Sequence, residues 1–182
     1  DVIYIKIYLD GSFPSQFKYL QEELLSMLTS FKAISSQNID FVLINPNESD
    51  DGSEKESLFK QLVKKGLKPT DVEVRSNSKK TNQIIFPGAL ISYKGKTQAV
   101  NFLKNSINKR PGENINSSIE NLEFEFISAF NRLIQNNRYD IAFLEGNGEL
   151  ESNEVYDLTE SVYNDNNRLS FHYNIDRFNI KY

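Results

Sequence analysis

The chain has 182 residues, a net charge of -4, 38% hydrophobic and 25% charged residues. That balance suits a globular protein with room for one large domain, or one small domain and part of another. It contains no cysteine and a single histidine, His172, which excludes disulfides, thiolate metal sites, cysteine nucleophiles and dithiol redox chemistry and argues against His-based triads and His-rich metal centres. No basic stripe marks a nucleic-acid partner, and no apolar run reaches the length of a membrane span. The chain opens directly in a strand, without a leader or initiator Met. That reads as a piece excised from a longer protein, whose anchoring segments lie elsewhere.

Residues 2–9 (VIYIKIYL) are β-branched and aromatic, as in a buried strand. Asp10, Gly11 and Ser12 turn the chain, and Pro14 suits the start of a helix. Phe17, Leu20, Leu24, Leu28 and Phe31 carry that helix to about Ile34. Residues 38–44 form a second strand, stopped at Asn45-Pro46. A polar loop over 47–53 leads to a short helix over 54–65, carried by Leu58, Phe59, Leu62 and Val63 and closed by Gly66. Residues 72–75 read as a strand, and 76–82, with Lys79 and Lys80, as a polar loop. Residues 84–93 read as a strand interrupted by Pro87-Gly88. Lys94-Gly95-Lys96 makes a hairpin turn into a return strand over 97–103.

Residues 105–116 are polar, include Pro111-Gly112 and read as the boundary between units. The longest amphipathic pattern follows. Ser117 with Glu120 reads as a capping box, and Ile119, Leu122, Phe126, Phe130 and Leu133 share a helical face, widened by Ile127 and Ile134. Phe124, Phe126 and Phe130 are expected in the core. A strand over 139–144 runs into Glu145-Gly146-Asn147-Gly148-Glu149, and a helix over 154–163 and a strand over 169–175 complete the chain. Strands alternating with helices imply α/β sheets with parallel neighbours.

The order of the first part resembles a thioredoxin-like fold: a strand, a turn and a long helix, a second strand and helix, then a proline-led hairpin. Pro87 stands where that fold usually has a cis-proline. The turn that carries the two thiols in redox members here reads Asp10-Gly11-Ser12-Phe13-Pro14, so the scaffold would be redox-dead and used for recognition.

Four blocks carry a second resemblance. They are residues 67–76 (LKPTDVEVRS), 85–90 (IFPGAL), 117–126 (SSIENLEFEF) and 141–150 (IAFLEGNGEL). Together, in this order, they are similar to the GldG-like family, auxiliary substrate-binding-type components of the gliding-motility ABC transporter of Bacteroidetes. The resemblance implies a parent protein anchored in the inner membrane, with this region periplasmic beside an ABC permease and ATPase, and no cofactor. It also implies a thioredoxin-like α/β domain over 1–110, followed over 111–182 by the truncated start of a second, Rossmann-like α/β domain. The family's turn commonly reads Glu-Gly-His-Gly-Glu. Asn147 replaces the His, which removes any role that needs an imidazole there.

The candidate site is the turn of Glu145, Gly146, Asn147, Gly148 and Glu149. Its backbone N–H groups could cradle an anion, but the two carboxylates repel one, and a sugar hydroxyl or a cation suits them better. The plain alternative is a structural turn at a strand end. Glu145 and Glu149 as an acid–base pair have no supporting nucleophile or second constellation, so no catalytic residue is assigned. Pro87 is either a cis-proline shaping a binding edge or a kink entering a strand. His172 reads as a packing or surface residue, Lys79 and Lys80 as a solvated loop. The expected function is a non-enzymatic interaction module of an ABC transporter. The alternative is a glycan- or small-ligand-binding domain, or a degenerate hydrolase, using the acidic turn. Apolar residues left exposed would favour a homodimer.

Overall fold

The computed structural model describes residues 1–76, 79–103, 111–134, 139–146, 148–160, 169 and 173–179. The protein is a mixed α/β chain in two compact units, Asp1–Ile134 and Gln135–Tyr182.

The first unit is built on a four-stranded sheet of β1 (Ile3–Ile7), β2 (Ile39–Leu43), β5 (Gly88–Tyr93) and β6 (Lys96–Asn101), in the order β2-β1-β5-β6. β1 runs parallel to β2 and antiparallel to β5, and β5 runs antiparallel to β6. Strand β1 alternates strictly, with Ile3, Ile5 and Ile7 buried on one face, as a half-covered strand should. Helices α1 (Ser15–Ile34) and α3 (Pro111–Ile134) cover that face. Phe17, Leu20, Leu24 and Leu28 of α1 and Leu122, Phe126, Ala129 and Leu133 of α3 complete one core with Ala89, Ile91, Val100 and Phe102. The Phe102 and Phe126 rings stack at 5.9 Å, and Phe130 meets both Phe126 and Phe31 edge-on at 6.0 Å.

Helix α2 (Gly52–Lys64) serves a smaller core of Tyr8, Leu62, Leu67, Phe86 and Leu90. Burial pushes the Tyr8 phenol up. Asp51 caps α2, accepting the Ser53 N–H at 2.8 Å, which holds its carboxyl below the usual carboxylate range. Gly66, at φ +95°, ends the helix in a Schellman turn, with Leu67 N–H on Leu62 O at 3.0 Å and Gly66 N–H on Val63 O at 2.9 Å. The Lys94-Gly95 turn has positive φ at both residues, 46° and 77°, matching the twist of the β5–β6 hairpin.

The structure corrects the sequence reading in four places. Residues 76–82 are not simply a loop: β3 (Thr70–Ser76) pairs antiparallel with β4 (Lys79–Ile85) in a separate two-stranded ribbon. The polar residues of β4 hid the strand, because a ribbon of two strands has little core to fill. Helix α3 begins at Pro111, so Ser117 is not a cap. Asn121 Nδ2 donates to its carbonyl at 2.7 Å, and Ser118 Oγ to that of Asn114 at 2.6 Å, both inside the helix. The domain boundary moves from 110 to 134, because α3 supplies the third wall of the first core. Finally, Phe124, Ile127 and Ile134 are exposed, since the buried stripe of α3 is narrower than the apolar pattern.

The second unit pairs β7 (Tyr139–Glu145) in parallel with β8 (Tyr173–Asn179), joined through α4 (Tyr156–Thr159). The helix expected over 154–163 is one turn among the described residues, and the last strand is described over Tyr173–Asn179. His172 and Asn147 lie outside the described residues.

Two outcomes follow from this packing. A chain of residues 1–134 should unfold cooperatively on heating, whereas 1–110, stripped of Leu122, Phe126 and Leu133, should show no cooperative transition by circular dichroism. In Gly88→Ala, the new Cβ would lie 2.7 Å from Leu67 Cδ2 and 2.8 Å from Val100 O. The leucine can yield but the ladder carbonyl cannot, so urea denaturation should show a loss of about 1–3 kcal/mol.

Candidate functional site

The acidic turn sits where parallel strands of open α/β sheets present ligand sites, at their C-terminal ends. Glu145 ends β7 opposite Asn179 of β8. Gly146 follows at φ +109°, and a Cβ there would meet Asn179 Oδ1 at 2.8 Å, so glycine is required both by conformation and by space. Gly148, at φ +96°, faces open space. Glu145, Gly146, Gly148, Glu149, Glu151, Ser152 and Asn179 line an open depression of about 440 Å³.

The carboxylate of Glu145 is already engaged. Arg177 Nη1 donates to Glu145 Oε1 at 2.5 Å, with both side chains largely screened from solvent. The Arg177 guanidinium also lies 5.1 Å from the centre of the Phe143 ring, its cross-strand neighbour. Asn174 Nδ2 ties the other end of the ribbon to Asp140 Oδ1 at 2.8 Å. Glu145 therefore holds two strands together, and acid–base work with Glu149 would require breaking that pair. Among the described residues, no group of three His, Asp or Glu side chains is placed to hold a metal ion.

In the first unit, the 10–14 loop leads into α1. Gly11 has φ +106° and packs so closely on Asn45 that a Cβ would meet Asn45 Oδ1 at 2.8 Å. Gln21 Nε2 reaches back from α1 to Leu9 O at 2.7 Å and to Asp10 Oδ1 at 3.3 Å. Phe13 is buried, edge-on to Phe17 at 6.5 Å. The inner side of the 10–14 loop is thus filled by an aromatic side chain. Beside it, Pro14, Phe17, Thr70, Asp71, Val72, Leu103 and Ile115 border a second depression of about 440 Å³.

Pro87 is not cis: every described peptide bond is trans. Gly88 N–H donates to Phe86 O at 2.7 Å, closing a three-residue turn centred on Pro87, whose fixed φ suits that geometry. Pro87 O then accepts from Phe102 N–H at 2.8 Å. The residue redirects the chain from the β3–β4 ribbon into the main sheet, the kink reading of its sequence. Lys80 is paired with Glu73 at 3.1 Å rather than lying in a loop.

One feature was missed from the sequence. Phe59, Val63, Pro69, Ile84 and Phe86 form an apolar groove of about 380 Å³ between α2 and the end of β4, with Glu56, Lys60 and Lys64 around it. Its signal was present in residues 60–68 (KQLVKKGLK), four lysines spaced through an amphipathic helix end and its connector.

A family model, the domain of unknown function DUF7088, matches residues 1–92. The chain belongs to this family. No curated protein and no solved structure matches the chain. The DUF7088 span runs from β1 into β5. It includes the 10–14 loop, Pro87 and the α2 groove, and it stops short of α3 and of the acidic turn.

If the Glu145–Arg177 pair holds the second unit together, Arg177→Gln should destabilise that unit by about 1–3 kcal/mol, the range for hydrogen bonds to charged groups. Glu145→Gln in the same chain should recover part of the loss. A double-mutant cycle read by amide exchange in β7 and β8 should give a coupling above about 0.5 kcal/mol. A coupling near zero would release Glu145 for other work.

Proposed function

We propose that this chain is a non-enzymatic interaction module of an ABC transporter complex, acting in the periplasm beside the permease and ATPase, as the GldG-like proteins of gliding bacteria do. The observation that carries this reading is the 10–14 loop. A sheet of order β2-β1-β5-β6 with α1 and α3 on one face and α2 on the other supports reading the first unit as a thioredoxin-like scaffold. At the loop where such a scaffold would do its chemistry, Phe13 is buried and the chain holds no sulfur nucleophile. An architecture kept without its reactive group serves as a surface. The second unit is read as the opening of a Rossmann-like domain, with the parent protein held in the membrane by segments outside this sequence.

The test is co-purification. A tagged parent protein, extracted from its own membranes in mild detergent, should bring down a permease and an ATPase. Substitutions at the rim of the 10–14 loop, such as Ser12→Arg and Gln16→Arg, should reduce recovery several-fold without changing the melting temperature. Recovery of neither subunit would sink the transporter reading.

A second reading is favoured by one observation, the acidic depression at the ends of β7 and β8. In that reading the turn of Glu145, Gly146, Gly148 and Glu149 binds a glycan or a small polar ligand. A thermal-shift panel of sugars, nucleotides and divalent cations separates the two. A shift that disappears in Glu149→Ala supports ligand binding, and silence across the panel removes it. The exposed Phe124 and Ile127 side by side on α3 keep a homodimer in view, to be read from the solution mass.

A further inference from the structure

We propose that the groove between α2 and the end of β4 is a docking site for an acidic amphipathic segment of a partner protein. This rests on the interaction-module reading and adds the chemistry of what is bound. Glu56, Phe59, Lys60, Val63 and Lys64 recur at steps of three and four, so they form one stripe along α2. Ile84 and Pro69 make the opposite wall, and Phe86, itself buried, meets Phe59 edge-on at 5.0 Å below them. Val63 is 50% and Ile84 37% exposed. Apolar side chains that face water around a concavity, rather than singly, mark a surface built to be covered.

Charge says what covers it. The chain as a whole carries -4, yet residues 57–69 contain Lys60, Lys64, Lys65 and Lys68 and no Asp or Glu. All four lysines are exposed. The one carboxylate at the groove, Glu56, is paired with Lys60 at 2.7 Å. Lys60 and Lys64 line the groove; with Lys60 spent on Glu56, Lys64 leaves the rim net positive, and Lys65 and Lys68 follow it in the connector. An apolar floor with that charge on its rim complements bulky apolar side chains flanked by carboxylates. Shape decides between a protein segment and an anionic membrane. A membrane contact needs apolar side chains that protrude, and here they wall a hollow of about 380 Å³. The mode of binding is also constrained. Asn47 Nδ2 donates to Ile84 O at 2.9 Å, which occupies the backbone of β4 at this end. A partner therefore inserts side chains, as an amphipathic helix does, rather than adding a strand.

The test uses the full 182-residue chain and a fluorescein-labelled synthetic 15-residue peptide. The peptide carries leucine and phenylalanine at helical spacing, and glutamate elsewhere. Its controls carry lysine for every glutamate, or serine for every apolar residue. Phosphatidylglycerol vesicles form a separate arm. Fluorescence anisotropy should show the acidic apolar peptide binding at least about tenfold tighter than either control, and more weakly as salt is raised. Val63→Asp, at an exposed position that leaves the fold intact by circular dichroism, should weaken it about tenfold or more, and Lys60→Glu with Lys64→Glu by about tenfold. Equal binding of the basic or serine peptide, indifference to Val63→Asp, binding to vesicles alone, or no binding would each overturn the proposal. The transporter reading fails separately. If the Val63→Asp parent protein still recovers permease and ATPase while the peptide does not bind, only the groove is lost. If the peptide binds but no permease is recovered, only the transporter is lost.

Discussion

The first unit depends on one apolar contact, the seating of α3 against the exposed edge of the core made by α1, β5 and β6. Phe126 stacks on Phe102, and Leu122, Ala129 and Leu133 fill the space beside α1. Each large side chain buried there contributes about 1.5–3 kcal/mol, a sizeable fraction of a typical domain's net stability. Without that helix, Ile91 of β5, Val100 of β6 and Phe102 just beyond it would lose their cover. The sheet is half-covered by design: α2 shields only the neighbourhood of Tyr8 and Leu90 on the other face, and Tyr4 stays exposed.

Much of this was legible in residue order because the periodicities were strong. The alternation of Ile3, Ile5 and Ile7, the spacing of Phe17, Leu20, Leu24 and Leu28, and Gly66 at the end of α2 each have a local cause that operates in the folded chain. What was not legible depended on partners distant in sequence. Ser117 with Glu120 satisfies the pattern of a cap, but the helix extends six residues further back to Pro111, where tertiary packing of Ile115 repays the extra turns. Lys79 and Lys80 look like loop residues because the ribbon reaches the core only through Val72, Val74 and Ile85 and leaves much of β4 polar. Pro87 invites a cis bond by analogy, and only the hydrogen bonds of Phe86, Gly88 and Phe102 reveal a trans turn. The candidate site was legible as a glycine-bracketed turn at a strand end. Its engagement by Arg177, 32 residues away, was not.

The two glycine-bearing loops use the same device to different ends. Gly11 lets the chain press against Asn45, and Gly146 lets it press against Asn179. In both, an asparagine amide occupies the volume that a side chain would need. In the first unit this closes the loop over Phe13. In the second it leaves Glu149 and Glu151 around an open hollow. Closure of the one and openness of the other underlie the two functional readings of the chain.

The end of the DUF7088 span at residue 92 falls within β5, one residue short of the strand's last position. A body cut there would keep the central strands but leave β5 with an unpaired backbone edge and one flank of the core bare. The recognisable family signature is therefore smaller than the object that folds. In this chain the closing strand β6 and the covering helix α3 both come from the sequence that follows the span.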